Sequence, residues 1–127
     1  MKHLFTTTAI ILCLLVSACS KKSEPAPEAP HTIKITASAT ADFAVIIYTA
    51  DSFGGTQTEV KNITVAKGTS FEYSTQAAVG SYVFVKLSSD VSNSISYKIY
   101  NNGTIADQES GKIFATHTTA TISYTVK

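Results

Sequence analysis

From Thr32 to the C-terminus the chain is written in period-two runs broken by turn residues, and no stretch holds a helical period. Ile33 and Ile35 alternate with Thr32, Lys34 and Thr36. Val83, Val85 and Leu87 alternate with Tyr82, Phe84 and Lys86, and Ile95, Tyr97 and Ile99 with Ser94, Ser96 and Lys98. Phe43-Ala44-Val45-Ile46-Ile47-Tyr48 is apolar throughout, which suits a central strand. Alternating side chains point to opposite faces of a strand, so each run offers one apolar face to a core. A helix built from such runs would have no apolar stripe. This pattern confines the chain to an all-β fold.

The turn chemistry agrees. Asp51-Ser52-Phe53-Gly54-Gly55-Thr56 and Ala66-Lys67-Gly68-Thr69 separate apolar runs. A bulge or kink is expected at Lys61-Asn62, between Val60 and Ile63. Asn102-Gly103 is a strong hairpin signal, since both residues tolerate positive φ, and a type I′ turn should join Ser94–Tyr100 to Thr104–Glu109. The last strand is placed within Ala115–Val126, with Ile122, Tyr124 and Val126 on one face. The expected fold is a small antiparallel β-sandwich of seven or eight strands, Ig-like in architecture only, because no cysteine pair or Trp marks a true Ig domain.

The N-terminus has a different grammar. Lys2 and His3 precede an apolar run, Ala9 to Val16, that is too short to span a bilayer permanently, and small residues follow. This is the layout of a secretory signal peptide. Val16-Ser17-Ala18-Cys19 resembles a bacterial lipobox. That resemblance implies cleavage between Ala18 and Cys19, a lipid such as palmitate on Cys19, and attachment to a membrane. One acyl chain binds only marginally, whereas two or three anchor stably at ~0.8 kcal/mol per buried CH₂. Ser20 stands where Asp would imply inner-membrane retention, and Ser20-Lys21-Lys22-Ser23-Glu24 resembles lipoproteins of the Bacteroidetes group, so the outer membrane is the expected location. Residues 20–30 hold all three prolines and no large apolar side chain, the composition of an extended tether with a reach of about 30 Å. The division expected is a signal helix at 1–18, a lipidated Cys19 and disordered tether at 19–31, and a folded domain at 32–127.

Composition narrows the function. Lys2 is lost with the signal, leaving nine lysines against nine acids, and Arg is absent. A neutral chain without a basic run has no electrostatic footprint for nucleic acid. Cys13 lies in the signal and Cys19 at its end, so no cysteine remains for a disulfide or a metal in the domain. A domain of this size buries roughly 60–70% of its unfolded surface and can fold without such staples.

The segment from Ile46 onward resembles the soluble domain of the MmpS family of small mycobacterial membrane proteins. The residues that carry the likeness are Ile46-Ile47-Tyr48-Thr49, Asp51-Ser52-Phe53-Gly54-Gly55-Thr56-Gln57, Val60-Lys61-Asn62-Ile63-Thr64-Val65, Gly80-Ser81-Tyr82-Val83, Ile99-Tyr100-Asn101-Asn102-Gly103 and Ser110-Gly111-Lys112-Ile113-Phe114-Ala115-Thr116. The resemblance implies a small β-sandwich and a partnership with RND-type transporters. The family carries an uncleaved transmembrane helix where this chain has a lipobox-like signal, and no functional residue is carried over.

Candidate chemistry is sparse. His31 falls at the tether junction, where it should be solvated, and His117 among threonines of the last strand; neither has an acid and nucleophile in a recognisable arrangement. Asp107 and Glu109 share a strand face after a tight hairpin, where a solvated edge is expected. Asp51, or Asp90 with Asn93, lacks the acid density of a calcium loop. No catalytic residue, metal or cofactor is expected beyond the covalent lipid on Cys19. Tyrosine is the suggestive residue type: Tyr82, Phe84 and Tyr100 are candidates for an exposed ligand surface, or for rings covering the second face of a thin sandwich. The sequence therefore points to a non-enzymatic, membrane-anchored interaction or accessory module of the cell envelope. The alternatives are a small-ligand or glycan-binding lipoprotein using exposed tyrosines, and an MmpS-like transporter accessory subunit.

Overall fold

The computed structural model describes residues 26–127. The expected signal peptide, Ala18/Cys19 cleavage site, Cys19 lipidation site and tether up to residue 25 lie outside the described residues. Residues 26–30 are exposed and carry no secondary structure.

The remainder is all-β. Eight strands follow in order: β1 (His31–Ala39), β2 (Phe43–Ala50), β3 (Thr58–Val65), β4 (Ser70–Ala77), β5 (Tyr82–Ser89), β6 (Asn93–Asn101), β7 (Thr104–Phe114) and β8 (Thr118–Thr125). They form two antiparallel four-stranded sheets, ordered β4-β1-β6-β7 and β3-β2-β5-β8. We call these the first and second sheet. The chain crosses between them five times, so neighbours in sequence are often on opposite layers and the core knits both sheets together.

Period two decides which side chains enter that core. From the first sheet come Ile33, Ile35, Ala37, Phe71, Ile95, Tyr97, Ile99 and Phe114; from the second, Phe43, Val45, Ile47, Val65, Val83, Val85 and Leu87. The rows on β1, β2, β5 and β6 hold the fully buried isoleucines and leucine and every fully buried valine but Val126, and these strands are central in their sheets. Burying one such side chain contributes about 1.5–3 kcal/mol, so the central strands carry most of the driving force.

The Asn102-Gly103 hairpin forms as the sequence indicates. Asn102 has φ +48° and Gly103 φ +83°, the left-handed pair a type I′ turn requires. The flanking strands are longer than expected, running back to Asn93 and on to Phe114. The bulge on β3 is shifted from the expected Lys61-Asn62. Ile47 pairs Lys61 while Tyr48 pairs Glu59, so Val60 is the extra residue. That leaves Val60 free to pack against the core.

Polar clamps close the ends of the sandwich. Asn93, only 3% exposed, serves the turn between β1 and β2. Its Oδ1 accepts from the Ala41 N–H (2.9 Å) and the Thr40 hydroxyl (3.1 Å). Its Nδ2 donates to the carbonyls of Ala41 (3.1 Å) and Asp42 (3.2 Å). Asn93 is thus a structural tie with its oxygen already engaged. At the opposite end Asn101 Nδ2 donates to Tyr124 Oη (2.9 Å), while His31 Nδ1 lies 2.7 Å from Asn101 Oδ1. His31 is therefore half-buried as the first residue of β1 and not free in solvent. His117 sits in the turn between β7 and β8, not in the last strand, with φ +58°. Among the described residues no buried side-chain nitrogen or oxygen lacks a hydrogen-bond partner.

Candidate functional site

The outer face of the second sheet departs from the usual polar exterior of an antiparallel layer. Because the Phe43–Tyr48 run is apolar at every position, its odd residues fill the core and Ala44, Ile46 and Tyr48 face outward. Tyr48 pairs with Phe84 on β5, and Tyr82 lies two residues along the same face as Phe84. The rings of Tyr82 and Phe84 are nearly parallel, with centroids 6.2 Å apart and an interplanar angle of 17°. The β2–β3 loop adds a further ring: Phe53, 81% exposed, meets Tyr82 at 5.7 Å and 57°. Local backbone explains its reach. Gly54 has φ +76°, and a Cβ on Gly55 would fall 2.9 Å from the Ser52 hydroxyl, so the loop folds tightly just after Phe53.

Beside these rings is a shallow depression of ≈ 300 Å³ lined by Tyr48, Gln57, Phe84, Lys86 and Thr121. Ring faces and hydrogen-bonding groups of both kinds meet here. Gln57 offers a donor and an acceptor, Lys86 a charged donor and Thr121 a hydroxyl. A second depression of ≈ 170 Å³ lies on the first sheet, with Thr36, Ser38, Ser96, Lys98, Gln108 and Ser110 in its lining. It is largely a field of hydroxyl and amide groups without an exposed ring.

The structure brings Tyr82 and Phe84 together but separates them from Tyr100. Tyr100 projects from β6 on the outer face of the first sheet, where Lys34 Nζ lies 6.0 Å from its ring centroid. The three-residue surface expected from sequence is therefore two surfaces. Nor are the tyrosines freely exposed: Tyr48, Tyr82 and Tyr100 are half-buried and Tyr97 is in the core. Phe53 and Tyr48 are the aromatic residues that the sequence reading did not place in the site. The signal for Phe53 was present, a large ring in a glycine turn where no core could use it.

Asp107 and Glu109 do share a face of β7, the one they share with their partners Ile99 and Tyr97; Asp107 is half-buried there and Glu109 is exposed. The Tyr97 hydroxyl donates to Asp107 at 3.3 Å. Burial, then the negative charge of Asp107, pushes the Tyr97 phenol up to about 12. The expected solvated edge is thus in part an inward-pointing one. Among the described residues no three His, Cys, Asp or Glu side chains converge as a metal site, and no helix is long and apolar enough to cross a membrane.

No protein-family model matches the chain, and no curated protein and no solved structure matches it. The likeness to the MmpS soluble domain rests on its sequence motifs alone.

Proposed function

We propose that this chain is a membrane-anchored lipoprotein whose β-sandwich is a non-enzymatic interaction module of the cell envelope. In this reading Cys19 carries the lipid and the proline-rich segment holds the domain off the outer membrane. The outer face of the second sheet is the contact surface. The observation that supports it best is the aromatic cluster of Tyr48, Phe53, Tyr82 and Phe84 on that face. Rings gathered on an outer sheet face, one of them 81% exposed and three half-buried, make the kind of apolar patch that serves as a contact site. Photo-crosslinking tests the proposal: a photoreactive residue at Phe53 should capture a discrete envelope protein, and one at Thr36 on the first sheet should not. Equal labelling from both positions, or none, counts against it. The anchor has its own test. Cys19→Ala should abolish acylation and move the protein out of the detergent phase; unchanged partitioning would falsify the lipoprotein assignment.

A second reading is favoured by the depression beside Phe84. A glycan or other small ligand that stacks on an aromatic face and hydrogen-bonds at its rim matches Tyr48 and Phe84 with Gln57, Lys86 and Thr121. Titration with oligosaccharides decides it, since Tyr48→Ala should weaken any binding about tenfold. Accessory service to an RND-type transporter remains the third reading. It rests on the MmpS resemblance, and co-purification of the lipidated protein with a pump component is its test.

A further inference from the structure

Four strands lie at sheet edges, and three of them are guarded. β7 is interrupted by two register shifts, turns Asp107 toward the Tyr97 hydroxyl and carries the exposed charges of Glu109 and Lys112. β3 has a bulge opposite Ile47/Tyr48 and carries Glu59 and Lys61. β4 holds Glu72 at mid-strand, paired with Lys34 at 2.9 Å. Bulges, inward charges and edge charges are the usual devices that stop one sheet from extending into another.

β8 has none of them. Its sequence, Thr118-Thr119-Ala120-Thr121-Ile122-Ser123-Tyr124-Thr125, contains no charge, no proline and no glycine. Its register against β5 is unbroken from Ser89↔Thr118 to Tyr82↔Thr125. Val126 donates its N–H to the Ser81 carbonyl at 2.9 Å. The alternation of an antiparallel ladder then turns the N–H and C=O groups of Thr119, Thr121, Ser123 and Thr125 away from β5, toward the open side. The core-side row of Ala120, Ile122 and Tyr124 is only partly covered, whereas Val85 and Leu87 one strand further in are fully buried. Among the described residues, both the backbone and the inner side chains of β8 therefore lack a neighbouring strand on one side.

We infer that β8 pairs with β8 of a second copy of this chain, joining two second sheets into one continuous antiparallel sheet. The occupant is read from self-complementarity. Antiparallel pairing of one strand with itself about a two-fold axis is isologous. In the register centred on Ile122, Thr121 faces Ser123 of the copy and Thr119 faces Thr125, the very positions whose backbone groups are open. On the inner face Ala120 meets Tyr124, a small residue against a large one. An uncharged strand neither repels its own copy nor selects a basic or acidic foreign segment. The pairing would set two aromatic clusters on one continuous face, so that a weak single contact becomes a bivalent one. The inference is independent of the lipid anchor.

Sedimentation velocity of the full chain, in detergent micelles in large excess over protein, tests it. The wild type should show a dimer that dissociates on dilution. Ser123→Lys, which sets like charges at the seam, should weaken dimerisation about 100-fold with an unchanged far-UV spectrum. Ser123→Pro should do the same, because the N–H it removes faces away from β5. Thr64→Lys, at an edge position of β3, should leave the dimer intact. Amide exchange at Thr119, Thr121, Ser123 and Thr125 should slow as protein concentration rises. A monomer at millimolar concentration overturns the inference, as does a dimer that survives both Ser123 variants or is lost equally with Thr64→Lys.

Discussion

The two sheets solve the same problem on the inside and different ones on the outside. Each sends an alternating apolar row from its two central strands into a shared core. On the outer face of the first sheet, β1 presents Thr32, Lys34, Thr36 and Ser38, and β6 presents Ser94, Ser96, Lys98 and Tyr100. On the outer face of the second, β2 presents Ala44, Ile46 and Tyr48, and β5 presents Tyr82, Phe84, Lys86 and Ser88. The first is mainly hydroxyl and lysine groups on its two central strands, with the exposed Ile105 and Ile113 added by its edge strand β7. The second carries a half-buried apolar strip along β2 and β5, and among the described residues the Phe53 loop folds against its aromatic column. A sandwich can thus keep one core and still specialise one face, because period-two geometry lets the two sides of a strand be chosen independently.

The contrast can be broken at its frame. Asn93 begins β6 in the first sheet and ties down the turn that carries the chain into the second. Asn93→Ala should lower unfolding stability by about 3 kcal/mol, since several buried backbone groups lose their partner at once. Urea denaturation should show a lower midpoint with a similar slope, and both outer faces should melt in one transition.

Sharpening it calls for paired substitutions. Phe84→Ala on the second sheet should cut capture of the envelope partner or ligand by about tenfold, against no change for Thr36→Ala on the first. Photo-crosslinking yield or calorimetric titration reads the difference. Comparable losses from both faces would erase the functional distinction between the sheets.

The first sheet has its own signature in pH. Tyr97 is a neutral phenol in the folded protein whose pKa is pushed up to about 12 by burial first and Asp107 second. Its contribution is fully present below the unfolded value near 10. It is lost as pH rises from there through the folded value, because the unfolded chain then binds fewer protons than the folded one. The denaturation midpoint of the wild type should fall over that alkaline window. In Tyr97→Phe the fall should be shallower. The smallest effect is expected at Phe53: with 81% of the residue exposed, Phe53→Ala should change stability by less than about 0.5 kcal/mol while still weakening partner capture. A circular dichroism melt run beside the crosslinking assay separates the two.

Much of the architecture was legible because the signals were local. Alternation identified the strands, and Asn102-Gly103 fixed one hairpin, since its φ values depend on those two residues. The continuous Phe43–Tyr48 run identified a central strand. The candidate site was legible only in part. Tyr82 and Phe84 sit two residues apart on one strand, so their shared face follows from sequence. Tyr100 belongs to the other sheet, and no local pattern tells which layer a strand joins. Phe53 stands out as a large ring in a glycine turn, but its contact with Tyr82 depends on how that loop folds back, and Tyr48 lies inside a run that reads as core. Asn93 looked like a surface oxygen donor because nothing nearby in sequence reveals the turn it clasps, more than fifty residues earlier.

The sequence by itself determined that residues from Thr32 onward form strands, where most of them turn, and which side chains share a face, because these follow from backbone geometry over a few residues. The tertiary structure alone decided that β2 and β5 lie side by side, that their outer residues make one aromatic surface, and that β8 ends a sheet without the charges or bulges that guard the other edges. Those outcomes depend on strand order, which is set by how all eight strands bury their inner rows together and not by any one of them.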